Sequence, residues 1–501
     1  MAEKIHRGKI KTAPDPLVVK YLIQPGIVND IKYRYQAFLD CNKAHVLMLA
    51  KQKIVSREVA AAIVRCNEEM SKMGDKPNFE IDPGREDFYF NIEAHLIEEV
   101  GIEIGGQQHT ARSRNDLYAT TARLAVRKAY FEICELYNRM RQAIIDVARQ
   151  NTDAVFAGYT HMQPSEPITF AHYCSAILNA MERDYRRIAH CFEGLNVCPL
   201  GGGSMGSTTW DIDRKYTAEL LGFDRPIDNS IDCVATRDYA TEILAALAMS
   251  ATTISRFCQD LYVWAAPDYG YIEVSDSCAV CSSIMPQKKN PWVLEHIKSK
   301  AAHIEGCFIS ALNVMKNVIY SHCEDMCGES ANYLYPGIDE FRVVCELMEV
   351  SIKGITVKKE RMLNNAWGNF CTVTELANYL VRHDKISFRM AHDIVADVVA
   401  YMIEHNKKAN EIGVDIVNPI FMKLFGRTTT MTDDEVRAAL DPTKIAYAKT
   451  CIGGTAPEEV TRQLDSRQAV LDRDNEELAC RKAFVANAKA KLQSAVDEIM
   501  A

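Results

Sequence analysis

A mostly α-helical protein organised around a central bundle of long helices is what this sequence predicts. Apolar residues recur every three and four positions over unusually long stretches, strand signals are scarce, and chain breakers collect in a few short clusters between the periodic stretches. From Asp116 onward, Val126, Ala129, Ile133, Leu136, Met140, Ile144 and Val147 keep the helical step, which implies one helix of about 35 residues with one buried face. The same period recurs from Ile168 to Ile188, from Tyr239 to Val263 and from Val293 to Met315. Four helices of this length are best buried against one another. No extended alternating segment and no Asn-Gly hairpin between β-branched runs is present.

The breakers fall at Asp82 to Arg85, Pro199 to Gly206, Pro267 to Tyr271 and Gly426 to Glu435, with Gly453, Gly454 and Thr455 interrupting before a helical tail. This spacing predicts a smaller helical N-terminal domain over 1–113, a long-helix central domain over 114–365 and a helical C-terminal domain over 366–501. Neither an internal repeat nor a low-complexity tract is visible.

Bulk composition removes several function classes. Of 501 residues, 48% are hydrophobic and 25% charged, enough to bury a large core without disulfides or metals. A net charge of −9 with no Lys/Arg-rich block gives nucleic acid or an anionic membrane nothing to bind, so an anionic ligand must be caught locally. The most apolar run, Ile243 to Met249, is too short to span a bilayer and is flanked by Glu242 and Arg256. Seventeen cysteines scattered through a chain that opens MAEKIHRGKIKTAPDP, without an apolar leader core, read as reduced thiols in a cytoplasmic protein.

Three segments place polar, catalytically capable side chains between apolar helices. In His109-Thr110-Ala111-Arg112-Ser113-Arg114-Asn115-Asp116, two guanidiniums, a hydroxyl and an amide at a helix start suit a carboxylate, and suit an N-cap with ion pairs equally well. Gly158-Tyr159-Thr160-His161-Met162-Gln163-Pro164 offers a histidine in a turn, which serves as a structural hydrogen-bonding group or as an acid or base. Ser282-Ser283-Ile284-Met285-Pro286-Gln287-Lys288-Lys289-Asn290-Pro291 leads into the helix carrying Glu295 and reads either as a solvated connector or as an anion-binding loop with a nucleophile or base.

Together these segments resemble the signatures of the argininosuccinate lyase and fumarase (aspartase) superfamily. SSIMPQKKNP looks like its signature loop, HTARSRND is similar to the argininosuccinate lyase pattern HTGRSRND, and GYTHMQP resembles GYTHLQ, all in the right order. Weaker likeness runs through NVCPLGGG, NSIDCVATRDYATEIL, ELANYLVR and GGTAPEEV. The resemblance implies a helical homotetramer with each active site assembled from three subunits, no cofactor, no metal, and a small-molecule substrate. The implied reaction is anti β-elimination of fumarate from an N-substituted aspartate, which demands stabilisation of an enolate-like dianion.

By the same resemblance, Ser282 takes the base position with Ser283 as fallback, Lys288 and Asn290 contact the carboxylate that gains charge, and His161 pairs with Glu295 as acid or relay. Arg112, Ser113, Asn115, Thr160 and Met285 fall among the substrate-binding positions. Departures point to the amine half: where the argininosuccinate pattern supplies Tyr, Gln and Lys, this chain runs Tyr320-Ser321-His322-Cys323-Glu324-Asp325-Met326-Cys327-Gly328-Glu329-Ser330. His322, Cys327 and Ser330 stand at those positions without gaps, and a slip of two residues recovers only Tyr320. Asn29 replaces the serine of the N-terminal substrate loop, Ala111 replaces a glycine of HTGRSRND, and Cys281 stands where the loop usually has glycine, the last two as potential stiffeners. The expected substrate is therefore an N-succinyl amine or aminopolycarboxylate such as ethylenediamine disuccinate, with argininosuccinate itself as the alternative and a silent crystallin-like scaffold as the rival from another class. Adenylosuccinate lyase fits less well, because its loop carries His or Tyr with Lys-Arg where this chain has Gln287-Lys288-Lys289.

Two motifs read as decoys. Gly201, Gly203 and Gly206 match G-x-G-x-x-G without the strand and βαβ context of a dinucleotide site. Cys278 and Cys281 form one C-x-x-C with no second pair to complete a zinc site, which leaves a redox-sensitive loop as the residual idea.

Overall fold

The computed structural model describes residues 12–501, so most of the segment behind the leader reading, residues 1–16, lies outside the described residues. Helices α1 (Gln24–Lys51), α2 (Arg57–Lys72) and α3 (Phe88–Val100) form the N-terminal layer. Their core packs Phe38, Leu39, Ile63, Val64, Phe88 and Ile92, all fully buried. Asn29 was expected in a substrate loop; it sits instead on the exposed side of α1, because the chain is helical without a break from Pro16.

The bundle follows. Helix α4 (Arg114–Arg149) leads into an antiparallel hairpin, β1 (Val155–Thr160) and β2 (Gln163–Thr169), and then into α5 (Phe170–Leu195). This hairpin forms where strand signals are scarce. Sequence alternation is hidden because Val155, Phe156 and Ala157 are buried in succession against the helices, which removes the one-face pattern that marks a strand. The chain continues through β3 (Val197–Cys198), β4 (Arg225–Pro226), α6 (Ser230–Ala235), α7 (Asp238–Ala265), β5 (Ile272–Glu273), β6 (Val280–Cys281), β7 (Lys289–Asn290), α8 (Trp292–Met315), α9 (Leu334–Gly354) and β8 (Thr356–Val357). The four helices expected from the periodicity are α4, α5, α7 and α8, each within a few residues of its expected span except for the longer C-terminal end of α5. They share a core containing Tyr137, Met140, Ile144, Leu178, Leu244, Ile254 and Ile304, to which α9 adds Phe341 and Met348.

Three further helices, α10 (Val373–Asp384), α11 (Phe388–Glu404) and α12 (Val414–Phe425), enclose a separate core of Leu376, Leu380, Ile394, Val398, Val417 and Phe421. The last helix, α13 (Pro457–Met500), returns along the bundle and ends at the N-terminal layer: Leu464 and Leu471 enter the bundle core, Leu492 and Val496 the first core. Buried Arg141 of α4 bonds Asp474 of α13 at 2.6 Å, an ion pair that fixes the register of this return. Among the described residues no helix is long and apolar enough to cross a membrane.

Candidate active site

The start of α4 is built as an N-cap. Ser113 Oγ accepts the Asn115 N–H at 3.3 Å, while the Ser113 N–H donates to Asp116 Oδ1 at 3.1 Å, a capping box that uses both polar groups of Ser113. Arg112 is only 8% exposed; it lies against the Tyr89 ring and donates to Tyr89 Oη at 3.3 Å, so it is turned away from solvent. Arg114, not singled out from sequence, is the accessible guanidinium and pairs with Asp87 at 2.6 Å. Asn115 Nδ2 donates to the Ser204 carbonyl at 3.1 Å, tying the helix start to the Gly-rich segment.

That segment explains its own glycines. A two-residue strand, β3, does precede Gly201, correcting the expectation of none, but it pairs in parallel only with β4. The amides of Gly201 and Gly203 donate to Asp116 Oδ2 at 2.8 and 2.9 Å, so this is a cradle for a buried carboxylate. A Cβ on Gly203 would stand 2.6 Å from the Ser207 carbonyl oxygen at φ +64°. Burial pushes the Asp116 carboxyl up from 3.8 to about 6, against the backbone N–H groups and the nearby Arg112 that favour its anion. The folded state therefore holds the proton more tightly than the unfolded one. The stabilising contribution is complete below pH 3.8 and lost as pH rises through about 6. Asp116→Asn is expected to flatten that part of the stability curve, read as melting temperature against pH.

Ala111, two residues before this cap, sits at φ +63°, the left-handed region that the family pattern fills with glycine. Ala111→Gly is expected to raise stability by about 1 kcal/mol, measured by denaturant unfolding.

At the hairpin tip, Thr160 pairs with Gln163, leaving His161 and Met162 as a two-residue turn with φ of 54° and 60°. Positive φ at both central positions is the type I′ geometry, normally given to Asn and Gly, so an exposed histidine and methionine are held there at a backbone cost. Thr160, His161 and Met162 all face solvent.

The Ser282 loop is a second small hairpin, β6 against β7, with an exposed tip from Ser283 to Lys288. Ser282 Oγ accepts the N–H groups of Met285 at 3.1 Å and Ile284 at 3.4 Å, donors that favour a deprotonated oxygen. Lys289 is committed to Asp276 at 2.7 Å and Glu273 at 3.1 Å, whereas Lys288 has no ion pair among the described residues. Asn290, half-buried, closes the hairpin opposite Val280. Glu295, in the first turn of α8, accepts from Tyr262 Oη at 3.2 Å. Cys278 is buried and Cys281 exposed, both as free thiols.

The remaining segment lies elsewhere. Exposed Tyr320 donates to Asp232 at 2.6 Å, half-buried His322 Nδ1 is 3.1 Å from Cys327 Sγ, and buried Ser330 donates to the Ala311 carbonyl at 2.9 Å. Asp232 belongs to α6, and Ser230 of the same helix bonds the Met205 carbonyl, so this segment shares the Asn115 end of the bundle. The Ser282 loop and the His161 hairpin share the other end, where Tyr159 and Tyr271 hydroxyls meet at 2.9 Å. Helix α4 separates the ends: its 36 residues span about 54 Å.

A family model described as "Lyase" matches residues 29–306, and one described as "Argininosuccinate lyase C-terminal" matches 370–446. Argininosuccinate lyase 1 of Shouchella clausii is 44% identical over 94% of this chain and 95% of its own length. The chain belongs to the argininosuccinate lyase family. Argininosuccinate lyase of Methanocaldococcus jannaschii is 34% identical over 95% of this chain and 96% of its own. Among solved structures, EDDS lyase in complex with formate superposes with a TM-score of 0.86 at 29% identity, covering 98% of this chain and 97% of that one. A fumarate lyase from Mesorhizobium sp. BNC1, at 18% identity and a TM-score of 0.70 over 87% and 97% of the two chains, shares the fold. As a member of this family the protein is a carbon–nitrogen lyase.

Proposed function

We propose that this argininosuccinate lyase family enzyme releases fumarate from an N-substituted L-aspartate by anti β-elimination, and that its leaving amine is an N-succinyl amine or aminopolycarboxylate other than arginine. The observation that carries the amine assignment is the Tyr320 to Ser330 segment. His322 is occupied by Cys327, and Ser330 is turned inward onto Ala311, so neither an amide nor an ammonium is offered where the family pattern has Gln and Lys.

In the elimination, Ser282 Oγ takes the proton from the carbon next to the distal carboxylate. The electron pair is held as an enolate-like dianion, then closes the carbon–carbon double bond as the C–N bond breaks and the amine leaves with a proton. Two backbone N–H groups support an alkoxide at Ser282, the rationale for placing the base there and not at Ser283. Uncommitted Lys288 supplies positive charge to the dianion, and the neutral Asn290 amide donates a hydrogen bond to it. Thr160 and Asn115 hold the substrate carboxylates, Met285 helps shape the loop side of the pocket, and His161 with Glu295 moves the proton toward the amine.

These residues lie at opposite ends of one chain, and a dicarboxylate under about 10 Å long cannot bridge a helix of about 54 Å. The site is therefore proposed to form in a homotetramer, where antiparallel copies bring unlike ends together. Exposed Met249 on α7, Ile309 and Leu312 on α8 and Val350 on α9 give the bundle apolar faces for such contacts. The test supplies purified protein with argininosuccinate, ethylenediamine disuccinate and simple N-substituted aspartates and follows fumarate absorbance. Turnover of the last two with little from argininosuccinate is expected; efficient argininosuccinate turnover would overturn the amine assignment, and silence with all substrates would favour a crystallin-like scaffold.

A further inference from the structure

The far end of the β1–β2 hairpin, which carries Thr160 and His161, has little backbone to hold it. Its register shifts between Ala157 and Tyr159, and beyond that break Tyr159 faces Pro164 and Thr160 faces Gln163. Pro164 and Pro167, opposite Tyr159 and Ala157, have no N–H, so β2 offers the ladder no donor at either position. The tip then closes on His161 and Met162 at positive φ, a conformation that neither residue favours. A strand end of this kind keeps its place only where side chains fix it to other elements.

Tyr159 supplies that attachment. Its hydroxyl lies 2.9 Å from Tyr271 Oη, and Tyr271 Oη donates to Asn365 Oδ1 at 2.8 Å. A hydroxyl carries one proton, and that of Tyr271 is spent on Asn365, so Tyr159 is the donor in the first bond. Tyr271 is fully buried, with its ring edge-on to Phe156 and Tyr269. Its backbone is tied as well: the N–H donates to the Trp264 carbonyl at 2.9 Å, and the carbonyl accepts the Lys358 N–H at 2.8 Å. Asn365, in the helix Lys359–Gly368, is held by Asn369, whose Nδ2 donates to Asn365 Oδ1 at 3.0 Å and to its carbonyl at 2.8 Å. Tyr271 and Asn365 thus form a fixed post outside the hairpin, and the Tyr159 hydroxyl ties the hairpin to it.

We infer that Tyr271 is a positioning residue for the elimination, which through Tyr159 sets where the next two residues, Thr160 and His161, stand at the substrate. This rests on the fumarate-releasing reading above and adds to it the device that holds one of its hairpins.

The experiment compares the full-length enzyme with its Tyr271→Phe, Tyr159→Phe and doubly substituted variants in fumarate release from N-substituted aspartates, thermal melting and amide hydrogen exchange. Phenylalanine keeps the ring packing and removes only the hydroxyl. Tyr271→Phe is expected to lower kcat by about tenfold, because small displacements of reacting groups are costly, while the melting temperature moves by no more than about 2 °C. Amide exchange over residues 159–163 should quicken by about tenfold, a local loosening that a loss of general stability would not confine to the hairpin. Tyr159→Phe should reproduce both changes, and the double variant should fall no further than either single one, since all three lose the same bond. A folded Tyr271→Phe variant with unchanged exchange, or with kcat within about twofold of wild type, overturns the inference and leaves the elimination standing. If Tyr271→Phe fails to fold, Tyr159→Phe decides by the same two measurements. No fumarate from the wild-type enzyme overturns the elimination, and with it a positioning role in that reaction.

Discussion

Ser282→Ala is expected to lower fumarate release by about 1,000-fold or more while shifting the melting temperature by no more than about 2 °C. The hydroxyl sits on an exposed hairpin and its protein contacts are two backbone N–H groups of its own loop, which solvent replaces at little cost. The base role proposed for it has no such substitute, since alanine cannot take the proton. Ser283, at the exposed tip and without those two donors, serves as the control: Ser283→Ala is expected to retain activity within about tenfold. Fumarate assays and thermal melts of the two variants distinguish the assignments, and the opposite ranking would transfer the base to Ser283.

Two inactive variants are expected to restore each other. On the proposed roles, Asn115→Ala would damage the substrate clamp at one end of α4 and Ser282→Ala would remove the base at the other end, about 54 Å away along a 36-residue helix. In the proposed homotetramer of either variant, every site carries the lesion. In a mixed assembly, a site that takes its Asn115 end and its Ser282 end from different chains escapes both lesions in a predictable share of cases. Co-dissociation and reassembly of the two proteins should therefore yield fumarate release far above either parent. Mixed oligomers verified by mass that stay inactive would place each site within one chain and refute the shared-site proposal.

The long-helix architecture was legible because its physical signature is local. An amphipathic helix repeats its apolar positions every turn, and residues such as Val126, Ile133, Met140 and Ile144 repeat them for long enough to exclude a strand. The β1–β2 hairpin was not legible. Burial of Val155 to Ala157 in succession erased the two-residue alternation, and its turn uses His161 and Met162 in a conformation that composition assigns to Asn and Gly. The employment of the Gly-rich segment on Asp116 was not legible either, because it depends on a contact 85 residues back in the chain. Arg112 drew attention as a guanidinium at a helix start, whereas burial against Tyr89 leaves Arg114 as the accessible one. Arg237 lies within the NSIDCVATRDYATEIL segment, but only the tertiary structure shows that it is buried.

By itself the sequence determined the helical class, the family and the residue types available for elimination, because periodicity and short ordered motifs are properties of neighbours along the chain. Which of those residues are free to act was decided by tertiary structure. Ser113 is used as a cap, Asn115 is tied to the Ser204 carbonyl, Lys289 is neutralised by Glu273 and Asp276, and Ser330 is turned onto Ala311, while Lys288 has no ion pair among the described residues. Commitment of a polar group depends on what packs within about 3 Å of it, and for most of these groups that partner lies on another element of the fold.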